Sequence, residues 1–291
     1  MDRRIIELYD EYTHRPLERR VFLQRLASLV GGSAAAYALL PMLENNYARA
    51  AIVDPADVRL ATGMVTYRGA SGEVRGYVAT PKAGGAKRPG VIVIHENRGL
   101  NPHIQDVARR VALEGFTALA PDALSPFGGT PANEDEARAA FARIDRDQAV
   151  RDFVAAVAYL KGRPDAAGPV GAIGFCWGGG MVNLLAVSAP DLAAAVPFYG
   201  LAAPAADVPK IKAKLLLHYA GNDPRINAGI PEFEAALKAA GVSYEKFVYE
   251  GAEHSFNNDT AGARYNRAAA ELAWSRTVAF LKANLDGARA A

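Results

Sequence analysis

Pro169-Val170-Gly171-Ala172-Ile173-Gly174-Phe175-Cys176-Trp177-Gly178-Gly179-Gly180-Met181-Val182-Asn183-Leu184-Leu185-Ala186 reads as a short buried strand running directly into an apolar helix. The only cysteine of the chain sits at the bend, inside Gly174-x-Cys176-x-Gly178. So sharp a strand-to-helix turn needs small flanking residues, because a Cβ at either flank would clash. It lifts the central side chain out at the carboxyl edge of the sheet. The free N–H groups and positive dipole end of the following helix then face that side chain, which favours a thiolate and a developing oxyanion. The competing reading of the pentapeptide alone is a glycine-rich turn holding a buried, inert thiol.

Working outward, strands and helices alternate. Gly63–Arg68 and Gly72–Ala79 flank a hairpin turn. Gly90–Glu96 is a continuous apolar run, as expected of a strand covered on both faces. Pro102 opens a helix to Leu113, and Phe116–Ala120 is the next strand. Arg146–Leu160 carries Val150, Phe153, Val154, Val157 and Leu160 on one helical face. After the bend come strands at Ala193–Tyr199, Lys214–Ala220 and Tyr244–Tyr249, with helices at Pro231–Ala240 and Ala263–Leu285. Repeated strand–helix units predict a mostly parallel central sheet with helices on both faces. No repeat or long linker interrupts this pattern, so residues 51–291 read as one α/β domain.

The first fifty residues read differently. Glu18-Arg19-Arg20-Val21-Phe22-Leu23 precedes an uncharged stretch from Ala27 to Leu43, then Ala48-Arg49-Ala50. That order predicts a twin-arginine-type export signal over 1–50, cleaved near Ala50. The protein would then be periplasmic or secreted, with the export machinery as a partner. Gly31-Gly32, Ser33 and Pro41 interrupt the apolar stretch, so no stable membrane span is expected after processing. The other reading is an N-terminal helix packed on the domain, or a membrane anchor. If the leader is not functional, the protein is cytoplasmic.

Of 291 residues, 51% are hydrophobic and 22% charged, an ordinary globular composition. A net charge of +2, with Lys and Arg scattered, excludes nucleic acid as an expected partner. One cysteine excludes an intramolecular disulfide. The five histidines lack metal-ligand spacing, so neither a metal nor an organic cofactor is expected.

A nucleophilic cysteine needs a base, and the base an orienter. Asp223 follows the Lys214–Ala220 strand and His254 follows the Tyr244–Tyr249 strand. Both fall at carboxyl ends of parallel strands, where open α/β sheets bind ligands, in the chain order nucleophile, acid, histidine. Cys176, Asp223 and His254 are therefore the candidate triad. Backbone N–H groups of Asn97 and Trp177 are the candidate oxyanion donors. His218, mid-strand among leucines, reads as a buried structural histidine, and Asp122 as a turn or cap residue. Tyr199 ends a strand at the same edge and is a candidate pocket residue.

Gly174–Gly179, the Glu96 loop, the Asp223 turn and His254-Ser255-Phe256 together resemble the dienelactone hydrolase (carboxymethylenebutenolidase) family from about Gly63 to Leu285. The resemblance implies an α/β-hydrolase fold, a Cys-His-Asp triad, a small-molecule ester or lactone substrate and a thioester intermediate. It also implies that Glu96 modulates the thiol, with Arg98 beside it; the competing role for Glu96 is an ion pair with Arg98 or a helix cap. The family pattern departs at Asn258, where an arginine that helps bind the substrate carboxylate is expected. Phe256 and Asn258 are candidate pocket residues, and Arg98, Arg264 and Arg267 candidate replacement cations. A broad esterase or lactonase is therefore the expected activity. The alternatives are a thioesterase or other acyl hydrolase, or a binding or redox protein on the same fold.

Overall fold

The computed structural model describes residues 1–15, 17–47, 51–83 and 87–286. Eight strands form one sheet: β1 (Leu60–Gly69), β2 (Gly72–Pro81), β3 (Arg88–Ile94), β4 (Thr117–Pro121), β5 (Ala166–Phe175), β6 (Leu192–Phe198), β7 (Lys214–Ala220) and β8 (Tyr244–Tyr249). Their spatial order is β1-β2-β4-β3-β5-β6-β7-β8. The β1–β2 hairpin is antiparallel, β2 runs antiparallel to β4, and all other pairings are parallel. This is the mostly parallel α/β sheet the sequence predicts.

Alternating side chains of the central strands feed two cores, as the two-residue period of a strand requires. Val91, Val93, Ile173, Phe175 and Val196 pack against α4 (Pro102–Leu113) and α10 (Arg267–Leu285). Ile92, Ile94, Ala172, Ala195 and Leu217 pack on the other face against α6 (Arg146–Gly162), α7 (Trp177–Ser188) and α9 (Ile230–Ala239). The polar stretch Ser125–Glu136 holds a 3₁₀ turn at Ser125–Phe127 and the first turn of α5 (Glu134–Phe141).

Within the segment read as a leader, α1 (Arg3–His14), α2 (Arg19–Val30) and α3 (Ser33–Leu43) surround a small core of Leu8, Tyr9, Tyr12, Phe22, Leu26 and Leu43. This unit docks on the α/β domain. Arg138 Nη2 donates to Leu17 O at 2.6 Å while its guanidinium lies over the Tyr12 ring. Arg264 Nη2 donates to Asn45 Oδ1 at 2.9 Å and sits over Tyr9. Among the described residues no single helix is long and apolar enough to cross a membrane; α2 and α3 meet that test only together and are bent by 109°. The expected cleavage site, Ala48-Arg49-Ala50, lies outside the described residues.

Candidate active site

The bend at the end of β5 has the geometry its glycines dictate. Cys176 has φ 56° and ψ −116°, a strained conformation for a residue with a Cβ. A Cβ on Gly174 would collide with the Gly178 carbonyl, and one on Gly178 with the carbonyls of Ile94 and His95. The elbow therefore packs directly on the loop after β3. Cys176 N donates to Phe198 O at 3.0 Å, which fixes the bend to β6. Cys176 is also N-cap to α7, whose first residue is Trp177.

Asp223 and His254 converge on this point. Asn222 N donates to Ala252 O at 2.9 Å and Asn222 Nδ2 to Glu253 Oε1 at 2.8 Å, tying the acid loop to the histidine loop. His254 Nδ1–H donates to Asp223 Oδ2 at 2.5 Å, leaving Nε2 toward Cys176. The second carboxylate oxygen of Asp223 accepts from Ile226 N at 3.3 Å and caps the short helix α8 (Pro224–Asn227). Nε2 of His254 and Sγ of Cys176 lie within 4.8 Å of each other. Burial works against charge on His254, but Cys176 and Asp223 beside it outweigh that penalty and push its pKa up to about 9.

The sequence leaves one participant unread. His14, the last residue of α1, places Nε2 3.1 Å from Cys176 Sγ. Its ring meets that of His254 edge-on, with centroids 4.7 Å apart. His14 Nδ1 lies 3.0 Å from Asp10 Oδ1 one turn back. Burial opposes ionisation of Asp10, but its hydrogen bond with His14 and the nearby positive groups hold the carboxyl well below the usual range. Arg225 Nε donates to Asp10 at 3.4 Å, and Asn97 Nδ2 donates to Thr13 O at 2.8 Å. The Asp10/His14 pair has the i, i+4 spacing of one helical face, a signal visible in the sequence once residues 1–15 are taken as part of the fold.

Glu96 is buried beside the elbow without a hydrogen bond to Cys176. Its Oε2 accepts from Asn258 Nδ2 at 2.7 Å, and its Oε1 is buried without a partner. Neither an ion pair with Arg98 nor a helix cap is formed. Arg98 Nη1 instead donates to Asn97 O, and its Nε faces Glu134 at 3.9 Å. His95 is neutral because burial depresses its pKa; Nδ1–H donates to Glu96 O, Nε2 accepts from Ala123 N, and the ring stacks on Trp177.

A cavity of about 730 Å³ opens over Cys176 and His254. Trp177, Met181, Tyr199, Leu201 and Phe141 give it an apolar wall, and Tyr12, Thr13 and His14 close one side. Its cations are Arg15, Arg19, Arg98, Arg138, Arg146 and Arg225, against one acid, Asp135. Of the expected pocket residues, Tyr199 and Arg98 line it. Phe256 lies beneath, packed on the Tyr199 ring, and Asn258 is spent on Glu96 and Thr260. Arg264 serves the N-terminal unit, and Arg267 is exposed and paired with Glu271. His218 is structural: its two ring nitrogens meet Thr277 Oγ1 and Tyr249 Oη. Asp122 accepts from Leu124 N, Thr130 N and Thr130 Oγ1, organising the turn after β4.

Known proteins resemble this chain in sequence and in fold. The chain is 37% identical over 231 residues to "Protein usf" of Aquifex pyrophilus, covering 75% of this chain and 97% of that one. It is 34% identical over 236 residues to the "Probable 2-oxo-3-(5-oxofuran-2-ylidene)propanoate lactonase" of Bradyrhizobium sp., covering 76% and 94%. Among solved structures, a dienelactone hydrolase-like promiscuous phosphotriesterase from metagenomic libraries superposes with a TM-score of 0.69 at 26% identity, covering 78% of this chain and 99% of that one. Residues 74–285 match the model of the dienelactone hydrolase family. With strands β3 to β8, the elbow and the loop after β3 all falling inside that match, this chain is a hydrolase belonging to the dienelactone hydrolase family.

Proposed function

We propose that the protein hydrolyses carboxylic esters or lactones through a covalent thioester on Cys176. The observation that carries this reading is the convergence of Asp223, His254 and Cys176 from three separate strand ends, with Cys176 and His254 opening on one cavity. The proton shared by thiol and imidazole resides on His254, held there by Asp223. Cys176 sulfur attacks the carbonyl carbon, and the carbonyl oxygen gathers charge near the N–H groups of Trp177 and Asn97. His254 then passes its proton to the leaving oxygen. Water, deprotonated by the now neutral His254, cleaves the thioester and restores the pair. An enolate or phenolate leaving group suits a thiol, because thioester formation from a poor alkoxide leaving group is uphill.

Glu96, locked by Asn258 close beneath the elbow, would bias the thiol by its charge. The arginine-rich wall and apolar body of the cavity favour substrates that carry a carboxylate on a hydrophobic frame. A panel of aryl esters and enol lactones, each with and without a carboxylate, tests the reading beside peptides, acyl thioesters and aryl phosphotriesters. Turnover of the esters or lactones should fall at least about 10³-fold in Cys176→Ala and in His254→Ala. Full activity in both variants would remove the triad.

The leader reading is part of the same proposal: export by the twin-arginine route, with the mature chain starting near Ala51. Such a chain would lack α1 and with it His14, so its cavity would be open above Cys176. N-terminal sequencing of periplasmic protein decides this, and an intact Met1 on cytoplasmic protein would refute it.

A further inference from the structure

His14 and His254 meet edge-on beside one sulfur, with ring centroids 4.7 Å apart and His14 Nε2 3.1 Å from Cys176 Sγ. A carboxylate oxygen lies at each Nδ1, Asp223 at 2.5 Å for His254 and Asp10 at 3.0 Å for His14, whose Nδ1 also meets Asp10 O at 2.9 Å and Thr13 Oγ1 at 3.0 Å. The His254 Nε2 is buried without a hydrogen-bond partner, on a residue only 4% exposed. Two imidazole nitrogens and a thiolate, with all three ligand atoms within 4.8 Å of one another, form a donor set for a thiophilic cation. Carboxylates behind the two histidines are the outer partners that orient metal-bound imidazoles and raise their basicity.

We propose that full-length protein binds one Zn²⁺ through His14 Nε2, Cys176 Sγ and His254 Nε2, with the remaining coordination position facing the cavity. Ligand atoms around a tetrahedral zinc stand roughly 3.3–3.8 Å apart, as its bond lengths of about 2.0–2.3 Å require, so modest side-chain rotation closes the set. On binding, the proton shared by Cys176 and His254 leaves to solvent, and lone pairs of the thiolate and of both imidazoles pass to the metal; nothing is oxidised or reduced. The metal-bound sulfur is then no longer a nucleophile, so Zn²⁺ silences hydrolysis. That silencing rests on the hydrolytic reading of Cys176, whereas binding does not. Because His14 belongs to α1, the site exists only in a chain that retains its N-terminal unit.

The test is a Co²⁺ titration of the full chain in a non-chelating buffer, followed by displacement with Zn²⁺. One equivalent should produce a thiolate-to-cobalt charge-transfer band with d–d bands of tetrahedral intensity. His14→Ala should weaken Co²⁺ affinity at least about 100-fold, and Asp10→Asn, which keeps every ligand, about 10- to 100-fold. Absence of the sulfur band in the wild type overturns the site, as does wild-type affinity in both variants. Should His14→Ala misfold, Asp10→Asn alone decides. Zn²⁺ should also abolish ester turnover stoichiometrically. A protein with the cobalt band but no turnover of any ester keeps the metal site and loses the hydrolytic reading. One that turns over esters but shows no band loses the metal site only.

Discussion

His254 Nδ1 lies 2.5 Å from Asp223 Oδ2, while the other oxygen of the same carboxylate caps α8 through Ile226 N. One side chain thus orients the base and anchors its own loop. Asp223→Asn keeps an oxygen for the cap, yet an amide cannot stabilise an imidazolium. The expected result is a loss of kcat/KM on the order of 10³–10⁴-fold with little change in melting temperature. A comparable loss of stability would show instead that the carboxylate is needed for folding rather than for orienting His254.

The elevated pKa of His254 sets a pH window. Its folded value of about 9 lies above the unfolded value of about 6.5, so the native state holds this proton more tightly. The resulting stabilisation is complete below about pH 6.5 and is lost as pH rises through about 9. Acylation, which needs His254 charged as the acid, should decline on the same limb. Imidazole resonances followed by NMR should titrate near 9 in the wild type and clearly lower in Cys176→Ala, which removes a neighbouring charge. A wild-type value near 6.5 would contradict the ion-pair picture.

Most of the central sheet could be read from the sequence because burial on both faces writes continuous apolar runs, as in Lys214–Ala220; the part-exposed edge strand Tyr244–Tyr249 also falls where expected. The elbow was legible because only glycine fits beside Cys176, at Gly174 and Gly178. The loops carrying Asp223 and His254 were legible from their place after strands. His14 was not, because Arg19-Arg20 and the Ala/Leu stretch drew the whole N-terminus into one leader reading. The contact that matters spans 162 positions and depends on how α1 docks, which no local pattern encodes. The same limit applies to Asn258: its residue type marks a departure from the family pattern, but only the fold shows that its amide is committed to Glu96.

That commitment yields a stability prediction. Glu96 is buried with one oxygen already unpartnered, so Asn258→Ala would leave the carboxylate without this side-chain donor. Removing such a partner costs about 1–3 kcal/mol, more for a charged group. Urea unfolding should show the midpoint falling with the m-value unchanged, and Cys176 alkylation by iodoacetamide should change rate as the Glu96 charge relaxes. An unaltered midpoint would mean that another group satisfies Glu96.

Gly178 offers a steric test of the elbow. An added Cβ would meet the carbonyls of Ile94 and His95, both backbone atoms that cannot rotate away. Gly178→Ala should therefore displace the loop after β3 and with it Asn97. Activity should fall far more than in Gly115→Ala, where no atom lies within contact range although its positive φ adds strain. Equal effects of the two substitutions would show that the elbow does not depend on this close approach.

His218 governs the acid side. It is buried between Thr277 and Tyr249, and burial, helped by the charge of Arg276, lowers its pKa to about 3. The folded value is depressed below the unfolded value of about 6.5, so the unfolded chain takes up a proton that the native state refuses. Stability should thus fall as pH drops from about 6.5 toward 3, by up to about 1.4 kcal/mol per pH unit from this group alone. His218→Gln keeps a donor and an acceptor but cannot titrate. Urea midpoints measured across that range should therefore slope less steeply in the variant, even if its stability at neutral pH is lower. Parallel slopes would mean that His218 accepts a proton in the native state, and that its hydrogen bonds to Thr277 and Tyr249 rearrange to allow it.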